Sequence, residues 1–296
     1  MLVIGSRGSK LALWQARWVA ARLEETGWRC RIQTIRTTGD TVKDLALSKV
    51  GAKGLFTKQI EEALLEERID LAVHSLKDLP TETPRGLVIG AVPAREDARD
   101  AMVGRKLAEL PAGARVGTSS LRRAAQVRLL RRDLVVESIR GNLDTRLRKL
   151  DDGLYDAIVV AAAGLKRLGW EHRIAELLPV EQVCPAAGQG ALAVEIRDEE
   201  GEARQACGEL DDTATRAAVT AERAVLAALG GGCQVPVGAH AAPADGALEL
   251  QAVVLSPDGA RVVRARRRGP MMAAEELGRA LGEELWRWLE EMKEDA

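Results

Sequence analysis

Hydrophobic and polar positions along the chain follow two periods, one typical of strands and one typical of helices. Trp28, Cys30 and Ile32 alternate with polar residues, which predicts a strand with one buried face. Ser9 is a predicted N-cap for a helix that runs to about Glu25. Other apolar runs predict strands at 2–5, 69–73, 87–92, 115–117, 134–138, 157–161 and 191–196. The predicted helices lie at 56–67, 120–130, 142–150, 199–210 and 214–229.

The order of these elements predicts an α/β protein with two lobes and a small C-terminal α+β domain. Strands that alternate with helices favour parallel sheets with crossover helices. The charged segment 93–100 and the segment 179–188 read as two crossings between the lobes, and a cleft between them is the expected place for a ligand. Strands at 235–240, 248–255 and 262–266, followed by a helix at 272–292, predict the α+β domain. The predicted domains are residues 1–93 with 189–210, residues 100–184, and residues 213–296.

Charge and composition exclude several classes of function. The chain has 43 Lys and Arg against 44 Asp and Glu, so its net charge of −1 argues against a general nucleic-acid surface. No apolar run approaches the roughly 18 residues of a membrane span, and no secretory signal is expected. The four cysteines and three histidines are scattered, without a C-x-x-C pair. We therefore expect no metal site and a location in the reducing cytoplasm.

Two segments combine hydroxyl groups with arginines where a predicted strand passes into a predicted helix. They read GTSSLRR at 117–123 and IRGNLDTR at 139–146. Hydroxyls, guanidiniums and the free N–H groups of a helix N-terminus favour anion binding, although a serine cap with solvated arginines explains the first segment equally well. Two junctions at the same sheet edge favour the anion site. Arg7 after the first strand, and Arg167 after a predicted turn, add cations, so the ligand should carry several carboxylates or phosphates.

Two further residues stand out as reactive groups. Asp78 comes just after a predicted buried strand, where α/β proteins often hold reactive groups, but a turn aspartate near Pro80 explains the position more simply. Three glycines, 230–232, precede Cys233, and such a run is costly in a core element. It favours an exposed nucleophile on a loop. The segment 188–193 matches G-x-G-x-x-A, but a strand follows it, so we reject a dinucleotide site. The long loop predicted at 39–54 is a lid candidate.

Eight segments, taken together and in order, resemble the porphobilinogen deaminase family. Each is only weakly or moderately specific alone, whereas their joint occurrence is highly specific. They are GSRGSKLALWQ (5–15), GAKGLFTK (51–58), VHSLKDLP (73–80), GTSSLRR (117–123), IRGNLDTR (139–146), AGLKRL (163–168), PAAGQG (185–190) and GGGCQVP (230–236).

The resemblance implies a fold and a reaction. The two lobes would resemble type II periplasmic binding proteins, and Cys233 would hold a dipyrromethane cofactor through a thioether. Four molecules of porphobilinogen would be condensed with loss of ammonia, and hydrolysis would release hydroxymethylbilane. Asp78 would be the catalytic carboxylate. Besides Cys233, the implied cofactor-binding residues are Asp40, Ser75, Lys77, Thr118, Ser119, Ser120, Arg122, Arg123, Arg140 and Gln189. The implied substrate-binding residues are Arg7, Ser9, Gln15, Lys53, Phe56, Arg146 and Arg167.

Two other functions fit the sequence less well. A non-enzymatic ligand-binding protein with the same two lobes would explain the anion sites, but it leaves Asp78 and the glycines before Cys233 unexplained. An RNA-binding protein conflicts with the near-neutral charge and with the 3% aromatic content. We therefore expect a monomeric cytoplasmic enzyme that acts on porphobilinogen and binds neither nucleic acid nor a membrane.

Overall fold

The computed structural model describes residues 1–37, 57–231 and 235–294, with backbone only after residue 290. It divides into two compact units. Unit 1 comprises Met1–Glu96 and Ala191–Arg216, and unit 2 comprises Asp97–Gly190 and Ala217–Ala296. The loop predicted at 39–54 lies outside the described residues, as does Cys233. The division into three domains stays a prediction.

The described residues form thirteen strands and eight α-helices. The strands are β1 (Leu2–Ser6), β2 (Cys30–Thr34), β3 (Leu71–Ser75), β4 (Leu87–Ala91), β5 (Asp100–Val103), β6 (Arg115–Gly117), β7 (Val135–Glu137), β8 (Ala157–Ala161), β9 (Ile174–Leu178), β10 (Leu192–Arg197), β11 (Val237–Ala244), β12 (Ala247–Leu255) and β13 (Val262–Pro270). The helices are α1 (Lys10–Glu25), α2 (Lys58–Leu65), α3 (Leu121–Leu130), α4 (Leu143–Asp151), α5 (Ala162–Arg167), α6 (Glu202–Leu210), α7 (Thr213–Ala228) and α8 (Ala274–Glu294).

The sheet of unit 1 has five strands in the order β2-β1-β3-β10-β4. Strands β1, β2 and β3 are parallel, whereas β10 is antiparallel to both of its neighbours. Helix α1 begins where the Ser9 hydroxyl accepts a hydrogen bond from the backbone N–H of Ala12. Its residues Ala16, Val19 and Leu23 share one face and are fully buried against the sheet. The predicted helix and its serine cap are therefore confirmed.

The sheet of unit 2 repeats this arrangement with other strands. Its order is β7-β6-β8-β5-β9, and β5 is the strand antiparallel to both of its neighbours. In both units the antiparallel strand is the first one after the chain enters from the other unit. In each sheet this strand is the fourth of five. It lies between β3 and β4 in unit 1 and between β8 and β9 in unit 2. The predicted α/β class with parallel strands and crossover helices is confirmed.

The end of the chain forms a separate layer within unit 2. Strands β11, β12 and β13 make an antiparallel sheet whose core residues pack with those of α7 and α8. Gly278 allows α8 to approach α7 closely, because a Cβ atom there would lie 2.1 Å from the carbonyl oxygen of Ala221. Gly282, one turn later, would meet Ala228 at 2.6 Å. This confirms the predicted C-terminal α+β arrangement.

Most predicted elements are present within a few residues of their expected bounds, but two strands and one short helix differ from the prediction. Strands β5 and β9 were not predicted. Asp100, assigned to a charged linker, is the first residue of β5 and is fully buried. The turn predicted before Arg167 is wrong, because Ala162–Arg167 form helix α5. Among the described residues, no helix has both the length and the apolar character needed to cross a membrane.

The end of α2 offers a test of backbone strain. Glu67 has a φ of +58°, in the left-handed region that disfavours residues with a Cβ atom. The N–H of Glu67 bonds to the carbonyl of Leu64, and the N–H of Arg68 bonds to that of Ala63, which closes the helix. We expect Glu67→Gly to raise the free energy of unfolding by about 0.5–1 kcal/mol in urea titrations.

The matched control is Glu66→Gly. Glu66 has a φ of −86°, so glycine relieves no strain there and adds flexibility to the unfolded chain. The change also removes the exposed ion pair of Glu66 with Arg68, which contributes little to stability. A loss of stability at both positions would contradict the account.

Candidate functional site

The predicted site residues follow the carboxyl ends of parallel strands, where α/β proteins hold their ligands. In unit 1, Arg7 and Ser9 follow β1, and Lys77 and Asp78 follow the neighbouring strand β3. In unit 2, two predicted segments follow β6 and β7, which pair side by side, and Arg167 lies beyond β8, which pairs with β6 on its other side. Each unit therefore gathers its predicted residues at one sheet edge.

The turn that carries Asp78 is anchored at its base. Leu76 begins a single 3-10 turn that ends at Asp78, and its side chain is buried at 1% exposure. The N–H of Leu76 donates to the carbonyl of Ala191 at 3.1 Å, and the N–H of Leu79 donates back to Leu76 at 3.1 Å. The side chain of Asp78 itself is exposed. The result is an accessible carboxylate on a fixed backbone.

Two predicted ligand residues of unit 1 bind each other. Gln15 lies on α1 and is buried at 2% exposure. Its Nε2 donates to the Oγ of Ser75 at 2.9 Å. Because Ser75 is the last residue of β3, this bond ties α1 to the strand just before the Asp78 turn. Any part that Gln15 and Ser75 play in ligand binding stays a prediction.

The two predicted anion-binding segments of unit 2 are joined by hydrogen bonds. The N–H of Thr118 donates to the carbonyl of Glu137 at 2.8 Å. The Ser119 hydroxyl lies 3.0 Å from that of Ser138 and also donates to the carbonyl of Ile139. The Ser120 hydroxyl caps α3 by accepting from the N–H of its third residue at 3.4 Å. The two junctions therefore lie together at one edge, as the sequence predicts.

The second junction holds its arginines through a tight turn. Gly141 has a φ of +109°, and a Cβ atom there would lie 2.7 Å from Thr145. The Nε of Arg146 donates to the carbonyl of Gly141 at 2.8 Å. The Nζ of Lys149 donates to the carbonyl of Arg140 at 3.2 Å. Only a glycine fits this turn easily, and the turn fixes the guanidinium of Arg146 and the backbone carbonyl of Arg140.

A buried carboxylate lies against the two arginines of the first junction. Asp100 is fully buried, while Arg122 and Arg123 are each 6% exposed. Asp100 Oδ2 accepts from Arg122 Nη1 at 2.7 Å, and its Oδ1 accepts from Arg123 Nε at 2.8 Å. The Nε2 of Gln189 donates to the same Oδ1 at 2.9 Å, and its Oε1 accepts from Arg123 Nη2 at 3.0 Å. We call Asp100, Arg122, Arg123 and Gln189 the Asp100 cluster.

The Asp100 cluster carries one positive charge more than it neutralises, since two guanidiniums face one carboxylate. Burial opposes ionisation of Asp100, yet the charges and hydrogen bonds of Arg122 and Arg123 hold the pKa of its carboxyl well below the usual range. Sequence patterning missed Asp100, because it lies more than twenty residues before the arginines in a segment full of charges. The expected binding of ligand carboxylates by these arginines stays a prediction.

The second crossing contacts two other predicted residues. Arg167 is 8% exposed, and its Nη2 donates to the carbonyl of Gly190 at 2.7 Å. Gln189 Nε2 also donates to the carbonyl of Ala98 at 2.7 Å. These bonds fix the segment just before β10. The predicted site residues that lie outside the described part of the chain are Asp40, Lys53, Phe56 and Cys233.

The three described cysteines are poor nucleophiles. Burial raises the pKa of the Cys184 and Cys207 thiols to about 12 in each case. Burial, and then the charge of Glu24, raise the pKa of Cys30 as well. A thiol with a raised pKa supplies little thiolate at neutral pH. Within the described ranges, no group of three His, Cys, Asp or Glu residues could hold a metal ion.

The Asp100 cluster makes a prediction about stability. Asp100→Asn removes the buried negative charge that Arg122 and Arg123 both contact, so the free energy of unfolding should fall by about 3–5 kcal/mol at neutral pH. Folding lowers the pKa of Asp100, so its contribution is fully present above the unfolded value of about 3.9 and is lost as the pH falls. Urea titrations at several pH values should show the wild type losing more stability than the variant between about pH 5 and 2.

The control for this prediction is Asp133→Asn, which removes an exposed carboxylate paired with Arg131. That change should not measurably alter the free energy of unfolding, because exposed ion pairs contribute little. Equal stability of Asp100→Asn and the wild type would contradict the assignment of Asp100 as the countercharge.

Comparison with known proteins identifies the family. Residues 2–205 match the family model described as porphobilinogen deaminase, dipyromethane cofactor binding domain. Residues 216–287 match the model described as porphobilinogen deaminase, C-terminal domain. A solved structure of a periplasmic substrate-binding protein from Coxiella burnetii has a TM-score of 0.43 and 13% identity, and the match covers 73% of this chain and 94% of that one.

Curated relatives span nearly the whole chain. The protein named porphobilinogen deaminase from Syntrophobacter fumaroxidans is 52% identical, over 95% of this chain and 93% of its own length. The proteins of the same name from Desulforudis audaxviator and Deinococcus radiodurans are 53% and 50% identical, over 95% and 96% of this chain and 92% and 94% of theirs. The chain therefore belongs to the porphobilinogen deaminase family, as its eight segments suggest.

Proposed function

We propose that this chain condenses four molecules of porphobilinogen, with loss of ammonia, into the linear tetrapyrrole hydroxymethylbilane. The reaction would start on a dipyrromethane group bound through a thioether to Cys233. Asp78 would be the catalytic carboxylate, and the polar edges of units 1 and 2 would bind the carboxylates of the rings. The observation that carries the proposal is the Asp100 cluster, in which two buried guanidiniums contact one buried carboxylate beside two junctions that carry hydroxyl groups.

The charges of unit 2 fit a polyanionic cofactor and product. Each pyrrole ring carries two carboxylates, acetate and propionate, so the growing chain becomes strongly negative. Arg122 and Arg123 both contact the carboxylate of Asp100, and Arg140 and Arg146 lie at the adjoining junction. A guanidinium offers paired donors that suit a carboxylate. Thr118, Ser119 and Ser120 supply further polar groups at the same edge.

Asp78 is suited to stabilise the positive charge of the reaction. Each condensation breaks the bond between carbon and the amino nitrogen, which leaves as ammonia, and forms a bond between two carbons. The proton lost from the attacking ring carbon balances the one gained by the leaving amine. Positive charge develops on a pyrrole nitrogen in both steps. An exposed carboxylate on an anchored turn would stabilise that charge and accept the proton.

Cys233 is the favoured attachment point because the other cysteines are unsuitable. Cys184 and Cys207 are buried with raised pKa values, and Cys30 lies within strand β2. Gly230 and Gly231, which lead toward Cys233, both have positive φ angles, so the chain leaves α7 in a conformation that favours glycine. When bound, the dipyrromethane supplies the ring carbon to which the first porphobilinogen is joined.

The first test is the intact mass of the purified protein. We expect an excess over the bare chain equal to two linked pyrrole units, and we expect Cys233→Ala to lack it. Cys30→Ala, which removes the least buried of the other thiols, is the matched control and should keep the excess mass. A bare wild-type chain that gains no mass on incubation with porphobilinogen would refute the proposed function. A loaded Cys233→Ala protein would refute the attachment site.

The role of Asp78 is tested by Asp78→Asn. This change keeps the size of the side chain but removes its charge, so kcat should fall about 10²–10³-fold, as on loss of one preorganised catalytic group. Cofactor loading, measured by intact mass, should be at least partly retained. Glu82→Gln removes an exposed carboxylate from the same segment and should keep kcat within about twofold. Near-normal turnover by Asp78→Asn would remove Asp78 from catalysis.

The cytoplasm is the proposed location, and a monomer is the proposed state. The described cysteines are free thiols, which suits a reducing compartment. We further propose that the chain acts without nucleic acid, since its net charge of −1 offers no general electrostatic attraction to a polyanion. The measured mass of the native protein in solution would test the oligomeric state.

A further inference from the structure

A buried pair of ionisable residues in unit 1 has no place in the proposed chemistry. His74 lies on β3 and Glu195 on β10, with exposures of 7% and 1%. His74 Nε2 and Glu195 Oε2 are 3.2 Å apart. Among the described residues, neither of these two atoms has a hydrogen-bond partner. Burying such groups is costly unless they are paired, so the contact between them needs an explanation.

The pair lies one residue before the end of β3. In the register of the antiparallel strands, His74 is opposite Ala193 and Glu195 is opposite Ala72, so the two side chains are diagonal neighbours. Ser75 ends the strand, and the turn from Leu76 to Asp78 follows immediately. The pair therefore connects the last residues of β3 to β10 at the base of this turn.

The environment of the pair is acidic. Glu61 on α2 faces it, and burial raises the pKa of the Glu61 carboxyl, with the charge of Glu195 acting in the same direction. The charge of His74 acts in the opposite direction. Glu82 borders a shallow surface depression together with Glu61 and Glu195. The imidazole of His74 is thus the basic group among several carboxylates.

Arg197 does not replace His74 as a partner for these carboxylates. It follows Glu195 on β10, but its Nη1 donates to the carbonyls of Leu64 and Ile69 at 3.0 and 2.9 Å. Its Nε pairs with the exposed Glu199. Among the side chains described on this face of the sheet, the contact between His74 and Glu195 therefore joins β3 to β10 in addition to the backbone pairing.

We propose that His74 and Glu195 are positioning residues that hold the Asp78 turn for the condensation. On one face of the sheet, Gln15 donates a hydrogen bond to Ser75. On the other face, His74, the residue before Ser75, contacts Glu195. The exposed Asp78 depends on this base for its position, because its own turn is a single 3-10 turn. A displacement of about 1 Å can cost about 10²-fold in rate. The inference rests on the proposed function.

The test uses three variants of the cofactor-loaded enzyme, namely His74→Leu, His74→Gln and the double variant His74→Leu with Glu195→Leu. His74→Leu should lower kcat about 10–100-fold with little change in KM for porphobilinogen. His74→Gln keeps a donor near the position of Nε2 and should retain most of kcat. The double variant removes both buried polar groups, so its Tm should recover toward wild type. Its kcat should stay low.

The outcomes separate positioning from stability. Leu23→Ala is the matched control, because it removes a fully buried side chain from the far end of α1 and should lower Tm while leaving kcat unchanged below the unfolding temperature. A double variant with wild-type kcat would overturn the inference even if His74→Leu does not fold. A change in KM alone would also overturn it. Failure of the wild type to consume porphobilinogen would instead refute the proposed function.

Discussion

Two buried guanidiniums sharing one buried carboxylate are the constraint on which the polar edge of unit 2 depends. Asp100 lowers the free-energy cost of burying the guanidiniums of Arg122 and Arg123. The side-chain amide of Gln189 forms hydrogen bonds with both the carboxylate of Asp100 and the guanidinium of Arg123. Asp100 begins β5, and Gln189 directly follows the predicted second crossing at 179–188. The cluster therefore fastens the chain at these two places to the start of α3. This pairing keeps two buried guanidiniums beside the junctions that are predicted to bind anions.

The local elements were predictable because their signals are local. The serine cap and the spacing of Ala16, Val19 and Leu23 define α1 from a few adjacent residues. The two strand-to-helix junctions were predictable for the same reason, since hydroxyls and arginines occur together there within seven or eight positions, and their binding of anions stays a prediction. Their closeness followed from the rule that parallel strands bring their carboxyl ends to one edge.

What the sequence could not predict depends on contacts between distant segments. β5 has only four residues and begins with a charged one, so its sequence resembles the end of a linker. Asp100 can be buried in a strand because Arg122 and Arg123 pair with it, and those residues are distant in the sequence. The pairing of His74 with Glu195 joins strands more than one hundred residues apart, and nothing in either segment indicates the other. Arg167 was misplaced because its Ala-Gly-rich surroundings suggested a turn, whereas their small side chains pack in a buried short helix.

The position of β10 bears on the order in which the two units are completed during synthesis. All five strands of the unit 2 sheet have been made once Leu178 emerges, because β5 opens that run of chain. Translation of unit 1 begins first, but its fourth strand, β10, is complete only when Arg197 has been made. Until then β3 and β4 lack the strand that pairs with both of them. A nascent chain thus carries unpaired edges on β3 and β4 in unit 1 after all five strands of the β7-β6-β8-β5-β9 sheet have been made. Of the two five-stranded sheets, the one whose first strand is translated first is the last to be completed, and strand edges left unpaired in the meantime favour association with other chains.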